Sequence, residues 1–133
     1  MLKHLLRKIN SLDARKSAEA LKIDLYSTLI PYIFSREVYN DNKDLKEFID
    51  KLSLKLPVKD YLYSARPQIV ARISKEIFHA EKEMLVENMN VLKKDAERFM
   101  EESKNNGLGD KPTKKDFVEV INKYSRNKEI GND

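Results

Sequence analysis

The chain has no cysteine, few of the residues that make turns, and no long apolar run. Of its 133 residues, three are glycine and four are proline. The lack of cysteine excludes disulfide bonds and thiolate metal sites and fits a reducing compartment, so we expect a cytoplasmic protein. So few turn residues argue against an all-β fold. Because a spanning helix needs about 18 consecutive apolar residues and no such run occurs, we expect no membrane-spanning helix.

What is present is typical of a helical protein with a modest core. Hydrophobic residues make up 41% of the chain and charged residues 36%, a balance that suits amphipathic helices with solvated outer faces. The length fits one domain, so we treat residues 1–133 as a single helical unit. Within it we expect a short N-terminal helix in residues 1–10 and a polar, frayed tail in residues 125–133.

Residues 67–106 predict the longest helix, because the stretch has no internal glycine or proline and is rich in good helix formers. At about 100° per residue its apolar side chains fall on two adjacent stripes, an early one with Ile69 and Ile73 and a later one with Leu92. Two stripes indicate a helix that neighbours contact on two sides. A straight helix of this length would span about 60 Å. We therefore expect a bend near residues 87–90, or packing of the far end on another subunit.

The predicted fold is all-α: an antiparallel bundle of four to six helices around one long helix, kinked or straight, at about residues 67–106. Before it we expect a second helix capped by Asn10 and a third capped by Asn42. Pro31 and Pro67 lie within apolar helical patterns, and each either kinks or ends its helix. The other expected elements are an extended linker at residues 53–58, a short helix from Pro57 and a last helix after Thr113.

Residues 2–12 combine an apolar face with basic side chains, and no acid precedes Asp13. A short, basic, amphipathic segment can bind weakly to an anionic membrane surface or act as an organelle presequence. The simpler interpretation is a first helix that packs on the bundle, because so few apolar residues give little membrane affinity.

The chain has only two histidines, which limits its catalytic chemistry. Glu76 and His79 have the Glu-x-x-His spacing of carboxylate-bridged di-iron bundles, but such a site needs two of these pairs and two further glutamates. Both residues fall on the polar side of the predicted helix, so we expect them to be solvated. Gly107 and Gly109 resemble a phosphate loop only faintly, since no strand precedes them and the Gly-Lys-Ser/Thr ending is missing. We predict no catalytic residue, no metal site and no cofactor.

The net charge of +4 comes mostly from the front of the chain, where residues 1–40 carry seven basic and four acidic residues. Nucleic-acid-binding proteins usually concentrate their positive charge in this way, but more strongly. A helix-turn-helix interpretation of residues 43–72, with Arg66 and Arg72 among its contacts, lacks the usual glycine in its turn. The candidate nucleic-acid contacts are those of the basic front: Lys3, Arg7, Lys8, Arg15 and Lys16.

The leading functional hypothesis is a non-enzymatic protein–protein interaction or regulatory module. The overlong helix with two apolar stripes motivates self-association, so the partner is either another protein or a second copy in a homodimer. The candidate interface lies in the far half of that helix: Met89, Leu92, Phe99 and Met100. The alternative for these four residues is the core of a single chain. The alternative function is nucleic-acid binding through the basic N-terminal region.

Overall fold

The structure, a computed structural model, describes residues 2–107 and the side chains of residues 2–105. This part of the chain is helical and contains no strand. The prediction of an all-helical protein with four to six helices is confirmed there. The predicted last helix and polar tail lie outside the described residues. The helices are α1 (Leu2–Asn10), α2 (Ala18–Phe34), α3 (Asn42–Ile49), a 3-10 helix (Asp60–Ser64), α4 (Arg66–His79) and α5 (Lys82–Gly107).

The helix at the centre of the described bundle is α2. It packs against α1, α4 and α5, whereas α3 contacts the 3-10 helix that precedes α4. Because α2 is contacted on several sides, it carries apolar residues around most of its surface, as a buried helix does. Its buried apolar side chains are Leu21, Leu25, Leu29, Tyr32 and Ile33.

The predicted long helix is interrupted between α4 and α5. Ala80 is extended, with φ −75° and ψ 146°, and Ala80 and Glu81 separate the two helices. The bend expected near residues 87–90 is wrong, because α5 runs unbroken through that region. The physical reason is tertiary packing: the extended Ala80 separates α4 from α5, and both helices then pack on α2, whose 17 residues span about 25 Å. A single straight helix of about 60 Å over residues 67–106 could contact α2 along less than half of its length.

The two prolines have different roles. Pro31 lies inside α2, which continues to Phe34, so this proline does not end its helix. Pro67 lies in the first turn of α4, where its missing N–H has no intrahelical acceptor in any case. A new helix therefore begins at Arg66 instead of continuing through a kink.

The expected caps are each displaced. Asn10 is the last residue of α1, and α2 begins only at Ala18, where the Ser17 hydroxyl accepts a hydrogen bond from the Ala20 N–H at 3.2 Å. For α3 the cap is Asp41, whose carboxylate accepts from the N–H of Asp44 at 2.9 Å. In both cases a side-chain oxygen accepts from one of the free N–H groups in the first helical turn. The residues that do so are Ser17 and Asp41 instead of the predicted Asn10 and Asn42.

The first helix packs on the bundle. Leu2, Leu6 and Ile9 are buried, and α1 contacts both α2 and α5. Lys93 of α5 also donates a hydrogen bond of 2.7 Å to the carbonyl of Leu12. The apolar face that would bind a membrane surface is thus used inside the chain. Among the described residues, no helix is both long enough and apolar enough to cross a membrane.

Candidate functional site

A groove with a volume of about 520 Å³ lies between α1 and the C-terminal half of α2. On α1 its residues recur every three or four positions, and on α2 they follow the same period, so each helix contributes one face. The groove is about two helical turns long, or about 10 Å. It is lined by Leu2, His4, Leu5, Lys8, Ser27, Pro31, Phe34, Ser35, Arg36 and Glu37.

The walls of the groove are apolar and only partly covered. Phe34 is 44% exposed although it is a large aromatic residue in a helix. Pro31, on the same wall as Phe34, is exposed, and Leu5, on the facing wall formed by α1, is half-buried. The side chains of Ser27 and Ser35 are small and leave the space between the two walls unfilled. Exposed apolar surface that is concave and rimmed by polar groups is typical of a binding site.

The rim of the groove is predominantly basic. Lys8 and Arg36 are exposed and form no ion pair within the described residues, although Arg36 donates a hydrogen bond of 2.8 Å to the carbonyl of Asn40. His4 is also exposed there. Glu37 is the single acid of the lining, and its Oε2 atom is buried without a hydrogen-bond partner among the described residues. The rim therefore attracts negative charge, and Glu37 is a polar group left without a donor.

The third wall of the groove, residues 35–37, is held by the buried guanidinium of Arg66, which is only 3% exposed. Arg66 donates to the carbonyls of Ile33 at 2.8 Å, Ser35 at 3.3 Å and Tyr39, and to Oδ1 of Asn42 at 2.8 Å. Burial lowers the pKa of Arg66. Its cation satisfies carbonyl groups at the C-terminus of α2, where the helix dipole is negative.

A second cleft, of about 340 Å³, lies between α3 and α5 over a buried carboxylate. Asp95 accepts hydrogen bonds from the hydroxyls of Tyr32 at 2.5 Å and Tyr39 at 2.8 Å. Arg98 lies 3.2 Å from Asp95 and donates to the Tyr39 oxygen at 2.8 Å. Burial, together with the charge of Asp95, raises the pKa of both phenols well above the ordinary value of 10.0, so they remain donors. Both carboxylate oxygens of Asp95 thus already accept hydrogen bonds from side chains of the same chain.

The linker at residues 53–58 is neither helix nor strand, and two side chains tie it to α4 and α5. The carboxylate of Glu76 accepts from the N–H groups of Lys55 at 2.9 Å and Leu56 at 3.4 Å. The amide of Asn88 accepts from the N–H of Ser53 at 2.6 Å and donates to the carbonyl of the same residue at 3.1 Å. The expectation that Glu76 is solvated is wrong: it is buried because it replaces the missing strand partners of this linker.

The structure does not bring Glu76 and His79 together as a metal site. Glu76 points its oxygens at the linker, and the exposed ring of His79 packs edge-on against Phe78. Within residues 2–107, no three His, Asp or Glu side chains are grouped so that they could hold a metal ion.

Three of the four candidate interface residues lie in the core of the single chain. Met89, Leu92 and Phe99 are buried, and Met100 packs partly buried against the same core. The alternative weighed for them, an intramolecular core, is what the described residues contain. In this conformation Met89, Leu92 and Phe99 are therefore covered by the chain itself, whereas Met100 stays partly accessible.

The five candidate nucleic-acid contacts do not form one surface of equal availability. Arg7 and Lys8 are exposed on α1 and Lys3 is half-buried there. Arg15 is paired with Asp13 at 2.9 Å and Lys16 with Asp24 at 3.1 Å. Hydrogen bonds from Arg15 lower the pKa of Asp13 to about 2. The negative charges of Asp13 and Asp24 therefore offset the positive charges of Arg15 and Lys16.

The groove was not predicted from the sequence, because its walls come from two helices and from a loop that a distant arginine positions. The exposed Phe34 beside Pro31 was the available signal, but both fitted an ordinary amphipathic helix. Comparisons with protein-family models, with curated proteins and with solved structures found no match for this chain. The chemistry of the groove is therefore the guide to function.

Proposed function

We propose that this protein is a non-enzymatic interaction module that holds a helical segment of a partner protein in the groove between α1 and α2. The observation that carries the proposal is the partly exposed Phe34 in an apolar groove about two helical turns long. An amphipathic helix laid in an apolar groove is a recurring mode of peptide recognition. Such a helix would cover Leu5, Pro31 and Phe34 and remove their apolar surface from water.

The proposal is supported by a difference between the buried polar side chains, which have structural roles, and those that line the groove. Asp95, Glu76 and Arg66 are each fully engaged in holding helices or loops in place. In the groove, in contrast, Oε2 of Glu37 has no hydrogen-bond partner and Lys8 has no ion pair within the described residues. Unused hydrogen-bonding capacity next to uncovered apolar surface favours the groove as the place where a partner binds. The cytoplasmic location expected from the sequence stays a prediction.

The proposal is tested by selecting peptides from a displayed random library on the full chain. Phe34→Ser removes the large side chain of one wall, and Phe78→Ser is the matched control, because Phe78 is 64% exposed but does not line the groove. We expect peptides that bind the wild type and Phe78→Ser and lose binding to Phe34→Ser. A selection without enrichment, or peptides that bind Phe34→Ser as well as the wild type, would contradict the proposal.

Nucleic-acid binding remains a second candidate, favoured by the exposed basic face of α1. The side chains of Lys3, Arg7 and Lys8 are on this helix, which contains no acid. Binding through them would weaken steeply with salt, because each phosphate contact releases counterions. Retention of the protein on heparin or duplex DNA at low salt supports this candidate, and the absence of retention dismisses it.

A further inference from the structure

We infer that the segment received by the α1–α2 groove is acidic as well as amphipathic: its apolar side chains lie between Leu5 and Phe34, and its carboxylates lie at Lys8 and Arg36. The inference rests on the proposed function and adds the chemical class of the partner. The proposed function is argued from the apolar walls of the groove, whereas this inference is argued from the charged side chains at its rim.

The two basic rim residues come from different parts of the fold. Lys8 is on α1, and Arg36 follows the end of α2. Both line the groove, both are exposed, and neither is neutralised by an ion pair with a described residue. An acidic residue of a bound helix would therefore find a cation beside α1, at Lys8, and another just beyond the end of α2, at Arg36. Arg7, also exposed on α1, extends the positive potential beyond the groove.

The remaining charged group of the lining is Glu37, whose Oε2 atom is buried and lacks a donor among the described residues. Its single negative charge stands against the two positive charges of Lys8 and Arg36, so the charged side chains of the lining sum to a positive charge. Glu37 disfavours an acidic residue beside itself and favours its placement at the two cations. The imidazole of His4, which also lines the groove, is exposed and carries no negative charge.

The size of the groove limits the number of anchors. Two helical turns present two apolar side chains on one face, at positions i and i+3 or i+4. Acids on the flanking positions of such a helix would face the rim. Complementary rim charges increase the association rate and the selectivity for partners, and they act more strongly at low salt.

The test uses two synthetic peptides that share the same leucine and phenylalanine positions and differ only on the polar face, which is glutamate in one and lysine in the other. Binding of each labelled peptide is measured by fluorescence anisotropy at low and high salt. On the wild type we expect the acidic peptide to bind about tenfold more tightly than the basic one at low salt, with the difference shrinking as salt rises.

The charge assignment is tested by the double variant Lys8→Glu/Arg36→Glu. Its matched control is Lys43→Glu/Lys59→Glu, which changes the net charge equally at exposed positions outside the groove. We expect the groove variant to lose or reverse the preference and the control to retain it. A preference for the basic peptide, or a preference that both double variants change equally, would overturn the inference.

The remaining outcomes separate this inference from the proposed function. If both peptides bind equally and Phe34→Ser abolishes both, the groove binds helices and the acidic class is wrong. If neither peptide binds, the acidic class is wrong, and the proposed function is decided by whether the library selection yields peptides that bind the wild type and not Phe34→Ser. A DNA oligonucleotide that displaces the acidic peptide from the wild type, but does not bind Lys8→Glu/Arg36→Glu, would replace the protein partner with a nucleic acid.

Discussion

Asp95 is the buried acceptor on which two tyrosine hydroxyls depend. Replacement by alanine removes the acceptor of the Tyr32 and Tyr39 hydroxyls. It also removes one ion pair of Arg98, which keeps its ion pair with Glu102. We expect Asp95→Ala to lower the free energy of unfolding by about 2–4 kcal/mol, because buried polar groups without partners are costly. Chemical denaturation measures this, and Asp95→Asn should be intermediate since it retains one acceptor.

The control for this substitution is Asp60→Ala. The Asp60 side chain is 89% exposed and lies 3.7 Å from Lys46, which makes it a surface ion pair. Its loss should change the free energy of unfolding by less than about 0.5 kcal/mol. Equal losses in Asp95→Ala and Asp60→Ala would contradict the role assigned to the buried carboxylate.

Arg66 holds residues 33–39 in place through hydrogen bonds to their backbone carbonyls. Lysine has one ammonium group and cannot reach three carbonyls and the side chain of Asn42 at once. We expect Arg66→Lys to cost about 2 kcal/mol of unfolding free energy, and to speed amide hydrogen exchange in residues 35–39. Arg15→Lys, at a side chain that is 90% exposed, is the control and should leave both measurements unchanged. Unchanged exchange in Arg66→Lys would show that the loop is held by other contacts.

The buried position of Asp95 could be predicted from the sequence, whereas its hydrogen-bond donors could not. Asp95 follows Leu92 by three positions and precedes Phe99 by four, so a helical wheel places it on the apolar face of α5. A carboxylate on that face needs donors. The donors themselves could not be predicted, because Tyr39 and Tyr32 are 56 and 63 residues away in the chain.

The linker at residues 53–58 is the element whose attachment depends on pH. Burial acts to raise the pKa of Glu76, but the hydrogen bonds from Lys55, Leu56 and Arg72 outweigh burial and lower the pKa below its ordinary value of 4.5. The unfolded chain therefore binds the proton more readily than the folded chain. The stability that Glu76 contributes is complete above pH 4.5 and is lost as the pH falls through the lowered pKa.

We expect the substitution Glu76→Gln to remove this part of the pH dependence. The difference in unfolding free energy between wild type and Glu76→Gln should be largest near neutral pH and should shrink in acid. Denaturation curves at several pH values measure it, with exposed Glu83→Gln as the control. A difference that stays constant with pH would mean that Glu76 acts through its shape alone.

At the element scale, helix identity was predictable and helix ends were less so. The apolar period identified the helical segments, and a linker without helix or strand was predicted from Pro57 among helical flanks. The interruption at Ala80 and Glu81 has no glycine or proline to mark it. It follows from packing on α2, which is a tertiary effect that local propensity does not contain.

At the scale of the whole molecule, the buried stripe of α5 belongs to one chain. Introducing a charge there should therefore unfold the chain and not merely dissociate a dimer. We expect Leu92→Asp to lose its cooperative thermal transition, since an unpaired buried charge costs a large share of the stability of a small domain. Circular dichroism and sedimentation velocity check this together, with Phe78→Ser as a control of unchanged mass and melting. A folded Leu92→Asp monomer derived from a wild-type dimer would restore the predicted interface.

The general architecture followed from composition and periodicity, but the position of the candidate site did not. An all-helical bundle was predictable from the scarcity of turn residues and the amphipathic pattern. The groove needs α1 beside Pro31 and Phe34, and a loop fixed by Arg66. Each of these contacts joins residues distant in sequence, so the sequence shows Phe34 near Pro31 but does not show that α1 lies beside them.

Nuclear magnetic resonance of the full chain titrated with the acidic amphipathic peptide tests directly whether the α1–α2 groove is a docking surface. We expect the largest changes in amide chemical shift within residues 2–8 and 27–37, and we expect them to disappear in Phe34→Ser. Changes that are largest on α3 or α5, or that persist unchanged in Phe34→Ser, would contradict this role of the groove.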